Sequence, residues 1–231
     1  MATKKTRTAV IKAFLALLGD GGWEAANRWA IAERAGIDLA TLRDAYGSRL
    51  DILADFTAEI DQKVLSDLDA DMDEEPARDR LFDVLIKRLE LLEDGKPAIR
   101  ALMDAARADL ALAARFNRLS LRSMSWMLTA AGIETRGRRG ALKTQGLVIG
   151  YSRVVSTWLD DDDPGLARTM AALDRMLEQG DTALRRMDRM SGVAETFVST
   201  AFSIGRMLKG RTKDKSEESS DERKEDLADA H

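Results

Sequence analysis

The sequence predicts an all-α fold: an N-terminal three-helix helix-turn-helix domain, a C-terminal antiparallel helical bundle and a disordered charged tail. Three observations carry this. The chain has only 3 prolines in 231 residues, so few backbone positions refuse a helix. Ala, Leu, Arg, Asp and Met are abundant, and most of these favour helix over sheet. Apolar residues recur at three- and four-residue spacing rather than in alternation.

Each element follows from local signals. Val10, Ile11, Phe14, Leu15 and Leu18 form one apolar stripe of a first helix over 6–18. Gly19, Gly21 and Gly22 are expected to end it, leaving Trp23 in the turn. Asn27 caps a short helix carrying Trp29, Ile31, Ala32 and Ala35. Gly36 supplies a positive-φ turn, and Asp38 caps a second short helix from Leu39 to about Tyr46. Gly47 and Ser48 end that helix, and Ser48 opens a long one from Arg49 to about Asp69. Residues 69–76 form an acidic break. Five helices are then expected over about 77–93, 97–108, 110–131, 138–159 and 165–178. Asp163 and Pro164 stand as N-cap and first position of the last of these.

An amphipathic helix over about 181–208 carries Met187, Met190, Ala194, Phe197, Ala201, Ile204 and Leu208 in a three-four seam, with basic residues beside it. It suits packing on its own domain or a dimer mate, contact with an anionic membrane surface, or a protein partner. From Lys209 onward almost nothing can be buried, and a disordered tail is expected over 209–231. The expected organisation is therefore 1–48 as the helix-turn-helix domain, 49–70 as a connecting helix, 71–180 as the ligand-binding and dimerisation domain, then the terminal helix and tail.

Composition narrows the chemistry. There is no cysteine, so disulfides, zinc–cysteine clusters and thiol nucleophiles are excluded. The only histidine is His231, which removes a Ser–His or Cys–His engine. No carboxylate–lysine arrangement has motif support, so the chain is expected not to be an enzyme and to need no cofactor. Asp160 to Asp163 invite a divalent-cation reading, but consecutive aspartates at a helix junction do not converge on one ion. A cap and an acidic hinge explain them, and no metal is expected. The basic start, Met1 to Arg7, lacks a signal-peptide core, and no stretch reaches the roughly 18 apolar residues of a membrane span. A cytoplasmic location is expected.

Net charge is −4, yet residues 1–50 hold eight basic side chains against five acidic ones. That asymmetry suits a phosphate-facing surface at the N-terminus. Gly22–Trp23, Ile31-Ala32-Glu33-Arg34-Ala35-Gly36-Ile37, Thr41-Leu42, Tyr46-Gly47-Ser48-Arg49, Asp51 and Leu53 together resemble the tetracycline-repressor (TetR) family over about residues 7–56. The resemblance implies a homodimer that binds a palindromic stretch of double-stranded DNA and answers to a ligand in its C-terminal domain. Arg28, Thr41, Arg43, Tyr46 and Arg49 are the expected DNA-binding residues. Two departures stand out: Asp38 caps the recognition helix where the family usually has Ser, and Asp44 would face a polyanion.

In the C-terminal half, Leu112, Phe116, Leu119, Met124, Trp126, Met127 and Leu128 on one helix, and Leu147, Val148, Ile149, Tyr151, Val154, Val155, Trp158 and Leu159 on another, leave both apolar around much of their circumference. They are expected at the centre, either as ordinary close-packed core or as the lining of a cavity. The family resemblance favours an apolar or lipid-like small molecule among Phe116, Met124, Trp126, Met127, Tyr151 and Trp158. Trp158-Leu159-Asp160-Asp161-Asp162, Thr169, Leu173-Asp174-Arg175 and Leu177 look like the C-terminal domain of the lipid-binding accessory protein of coenzyme Q (ubiquinone) biosynthesis. That likeness implies a repressor-like fold without DNA and a terminal helix on a membrane.

Overall fold

The computed structural model describes residues 2–68 and 74–186. The acidic stretch 69–73, the seam residues from Met187 onward and the charged tail lie outside the described residues. Met1–Gly180 forms one compact unit and Asp181–His231 a second, of which residues 181–186 are helical.

Among the described residues of the first unit there are helices and no strands. In order they are α1 Lys4–Ala25, α2 Arg28–Ala35, α3 Leu39–Ala45, α4 Arg49–Ser66, α5 Ala77–Leu91, α6 Lys96–Ala108, α7 Leu110–Ala130, α8 Gly137–Leu159 and a last helix, α9, over 167–180, with a 3-10 turn at Glu93–Gly95 before α6. Three of the four caps read from the sequence open their helices. Asn27 Oδ1 accepts from the Ala30 amide at 3.1 Å, Asp38 Oδ1 from Thr41 at 2.6 Å and Ser48 Oγ from Asp51 at 3.3 Å. Each satisfies one of the first-turn donors that a helix cannot satisfy itself.

Two boundaries differ from expectation. α1 does not stop at Leu18. Gly19 and Gly21 stay helical, and only Gly22 leaves the helix, at φ 78° and ψ −170°. The glycine run thus makes one kink that turns Trp23 toward the body instead of ending the helix. The last helix of the unit begins two residues later than expected, because Leu166 sits at φ 50°. Asp163 caps the turn before it, accepting from Gly165 and Ala167, while Asp161 Oδ2 accepts the Thr169 amide at 2.9 Å and its hydroxyl at 2.7 Å.

Two cores result. The N-terminal one joins Val10, Phe14 and Leu18 of α1 to Ile31, Leu42 and Ile52. The larger one holds Ile60, Val64, Leu85, Met127, Trp158 and Leu173. Fully burying a side chain of this kind stabilises by about 1.5–3 kcal/mol. α4 serves both cores, through Ile52 and Leu53 at its start and Ile60 and Val64 near its end. α6 crosses the expected domain boundary, since Ala98 and Leu102 join the N-terminal core.

Candidate nucleic-acid interface and cavity

The helix-turn-helix is built by α2, a turn at Gly36 and α3. Gly36 lies at φ 67°, ψ 33°, where a Cβ is strained, and the chain closes there with the Ile37 amide donating to Ala32 O at 3.0 Å. Leu42 and Ala45 face the core, so Ala40, Arg43 and Asp44 are turned to solvent. Thr41 is half-buried beside them.

Arg28, Arg43, Tyr46 and Arg49 line one cleft of about 220 Å³ between the starts of α2 and α4 and the side of α3. No carboxylate lines it. The starts of two helices carry partial positive charge, which adds to the three guanidinium groups. Arg49 is held by neutral partners. Its Nη1 donates to Trp23 O at 2.5 Å, and its guanidinium lies 4.1 Å from the centre of the Trp23 ring. Burial lowers the Arg49 pKa, opposed by Glu24 and reinforced by the nearby positive charge of Arg28. Two cations held this close favour an anion between them.

Tyr46 is turned inward, at 7% exposure. Its hydroxyl donates to Asp55 Oδ2 at 2.6 Å, and Arg7 Nη1 donates to the same oxygen at 3.0 Å. Burial, and then the bond to Asp55, raise the Tyr46 pKa. Tyr46 thereby ties α3 to α4 from beneath. Asp38 is kept ionised: the Thr41 amide bond lowers its pKa.

The body holds a larger space of about 610 Å³ among α4, α5, α6, α7 and α8. Of the six residues expected to contact a ligand, Phe116, Met124 and Tyr151 line it. Met127 and Trp158 are fully buried in the close-packed core beside it. Trp158 Nε1 donates to Glu93 Oε2 at 3.1 Å. Trp126 is 53% exposed and lines a separate groove between α4 and α7. Tyr151 donates to Leu85 O at 3.1 Å. At one wall Arg88 donates to Asp61, whose Oδ1 also accepts from Ser123 Oγ at 2.7 Å.

Cleft and cavity are physically joined. Phe116, in the cavity wall, meets Trp23 edge to face with ring centres 5.4 Å apart. Trp23 in turn carries Arg49 of the cleft.

No family profile and no curated protein matches the sequence. Solved structures do match. A TetR transcriptional regulator from Nitrosomonas europaea superposes with a TM-score of 0.60 at 19% identity, over 76% of this chain and 97% of that one. A TetR regulator from Rhodococcus sp. RHA1 gives 0.56 at 18% identity, over 77% and 96%. The transcriptional regulator FadR from Bacillus subtilis, solved in complex with stearoyl-CoA, gives 0.51 at 21% identity, over 75% and 96%. This chain has the TetR-type regulator fold.

Within that TetR-type fold the arginines of the cavity, Arg88, Arg107 and Arg153, are the residues sequence reasoning missed. Arg88 left a legible signal: it shares one helix face with Leu81, Leu85 and Leu92, a cation on an apolar stripe. In the run Asp160 to Asp163, Asp160 pairs with Arg100 at 2.8 Å, Asp161 is buried on Thr169 and Asp163 accepts from Gly165 and Ala167. Among the described residues no group of acids or histidines is placed to hold a metal ion, and no helix is long and apolar enough to cross a membrane.

Proposed function

We propose that the chain is a homodimeric, one-component transcriptional regulator of the TetR type that binds a palindromic DNA site and responds to an apolar or amphipathic ligand. The observation that carries this reading is the carboxylate-free cleft where Arg28, Arg43 and Arg49 meet two helix starts in a chain of net charge −4. A phosphate fits that chemistry. Arg28 and Arg43 are exposed and touch the duplex, with Thr41 reaching from the same helix as Arg43. Arg49 contacts a phosphate while braced on Trp23, and Tyr46 positions α3. Leu142, Ile149 and Met170, exposed on α8 and α9, support a two-fold contact through these helices.

The ligand occupies the body cavity and acts by its preference between two arrangements of the heads. The chain Phe116–Trp23–Arg49 offers the route by which a change in the cavity wall reaches the cleft. The stearoyl-CoA in complex with FadR, a protein of similar fold, supports a ligand with a long apolar part.

A second reading is a lipid-binding accessory protein of ubiquinone biosynthesis that keeps the repressor shape and does not bind DNA. Asp38 and Asp44, both exposed at α3, favour it. In vitro selection of bound duplexes separates the two. The regulator recovers a palindrome. Arg28→Ala and Arg43→Ala each weaken binding and lower the slope of log affinity against log salt by about one. Random recovered sequences, with slopes unmoved by either substitution, sink the regulator reading.

A further inference from the structure

We infer that the body cavity takes an amphiphile with an anionic head, and that Arg88 seats that head; this rests on the ligand-responsive reading above. The sign of the lining is the first observation. The chain carries 40 acidic and 36 basic side chains. The charged residues that line this cavity are nonetheless all arginines, Arg88, Arg107 and Arg153, with no aspartate or glutamate. The rest of the wall is mostly apolar, with Phe56, Ile60, Leu92, Ile99, Met103 and Met124 prominent. A volume of about 610 Å³ is ample for one single-chain lipid.

The state of Arg88 is the second observation. It is 7% exposed, a guanidinium inside an apolar space. It gives one N–H to Asp61. Among the described residues it makes no other hydrogen bond, and it lines the cavity. Asp61 itself does not line the cavity. It lies on the far side, facing the α4–α7 groove, and accepts from Ser123 as well. An entering anion therefore meets the open edge of Arg88 while the carboxylate that holds Arg88 in place stays behind it. Charge-assisted bonds from a fixed guanidinium are the strongest that a carboxylate finds in such a site. Arg107, paired with Asp104 at 2.7 Å, and Arg153 are exposed where the cavity meets solvent, and Arg153 adds positive potential there. A cationic head meets the donor edge of Arg88 and the charge of Arg153, and a neutral head gains only the apolar wall.

The test titrates the full chain with palmitate, hexadecan-1-ol and hexadecylamine, all below micelle formation, by calorimetry. Palmitate is expected to bind about tenfold or more tighter than the alcohol, with the amine weakest. Alcohol or amine binding as tightly as palmitate overturns the anionic head and leaves the ligand reading standing. Failure of all three to bind sinks both. The pair Arg88→Gln with Asp61→Asn keeps the site neutral and hydrogen-bonded. It is expected to weaken palmitate about tenfold while leaving the alcohol unchanged. Unchanged palmitate affinity in that variant, with its helical circular dichroism intact, removes Arg88 from the role. The comparison of the three probes on the unaltered chain decides the head-group question even where the variant fails to fold.

Discussion

The molecule has two concave sites lined by three arginines each and by no carboxylate, and they hold those arginines in opposite ways. In the N-terminal cleft Arg49 is braced by neutral groups, the carbonyl and ring of Trp23. Glu24 acts on its charge from nearby, but no carboxylate lines the cleft. In the body cavity Arg88 is braced by a carboxylate, with side-chain exposures of 9% and 10% for the pair. A cation braced by neutral groups at a cleft without carboxylates suits a polyanion whose counterions are released on contact. A buried cation in a neutral pair suits a single small anion that arrives with its own apolar body. The difference lies in what stands behind the guanidinium, and α4 supplies an anchor for each site: Arg49 at its first residue and Asp61 near its last turns.

The sharpest way to break the comparison is Arg88→Ala. It leaves Asp61 buried without its cation, and destabilisation of about 3–5 kcal/mol is expected in urea unfolding. Arg88→Met combined with Asp61→Leu removes both charges and should recover most of that loss. A double variant as unstable as the single one would mean that the pair is not a self-contained neutral unit.

A smaller effect is expected at the other brace. Trp23→Leu removes the edge contacts to Phe14 and Phe116 and the stacking of Arg49. A loss of about 1–2 kcal/mol follows from aromatic and cation–π terms of this kind. Added salt should not restore it, because the partner of Arg49 is a ring and a carbonyl. If the loss vanishes, Trp23 does not hold the start of α4. The same variant also weakens the link between cavity and cleft. Any ligand effect on DNA affinity should then shrink, while ligand affinity itself holds.

The parts of this comparison that were legible in the sequence are those set by near neighbours. Caps act from residue i to i+3, so Asn27, Asp38 and Ser48 announce α2, α3 and α4 unaided. The grouping of Arg28, Arg43 and Arg49 was an expectation carried by the TetR resemblance rather than by spacing alone. The cavity was only half legible. On α7, Met124, Trp126, Met127 and Leu128 are apolar on nearly every side, so the period carries little phase. Which of them faces a void, the core or solvent is decided by α4 and α8, far away in the chain. Met124 meets the cavity, Met127 the core and Trp126 the surface for that reason. Trp23 was hidden differently. Three nearby glycines read as a helix stop, whereas only Gly22 leaves the helix, and the chain continues through Trp23 as a kinked helix.

The smallest expected effect concerns a carboxylate held mainly by a hydroxyl and backbone amides. Asp161 is buried where α8 meets the following helix, and the Thr169 hydroxyl holds its pKa below the usual carboxylate range, helped by the amides of Thr169 and Asp163. A carboxyl whose folded pKa is depressed contributes stability above its unfolded pKa and loses it as pH falls through the folded one. Thr169→Val removes the hydroxyl and keeps the amide bond, so it raises the Asp161 pKa toward the ordinary value without undoing the cap. Melting temperatures of the two proteins should differ by a constant amount from pH 7 down to pH 5. The gap should begin to narrow near pH 4, about the unfolded aspartate pKa, and close as pH falls through the lower folded one. A gap that keeps its size down to pH 3 would show that the hydroxyl contributes packing alone. Asp161 would then behave as an ordinary capping carboxylate, and the contrast among braces would reduce to the two arginine sites.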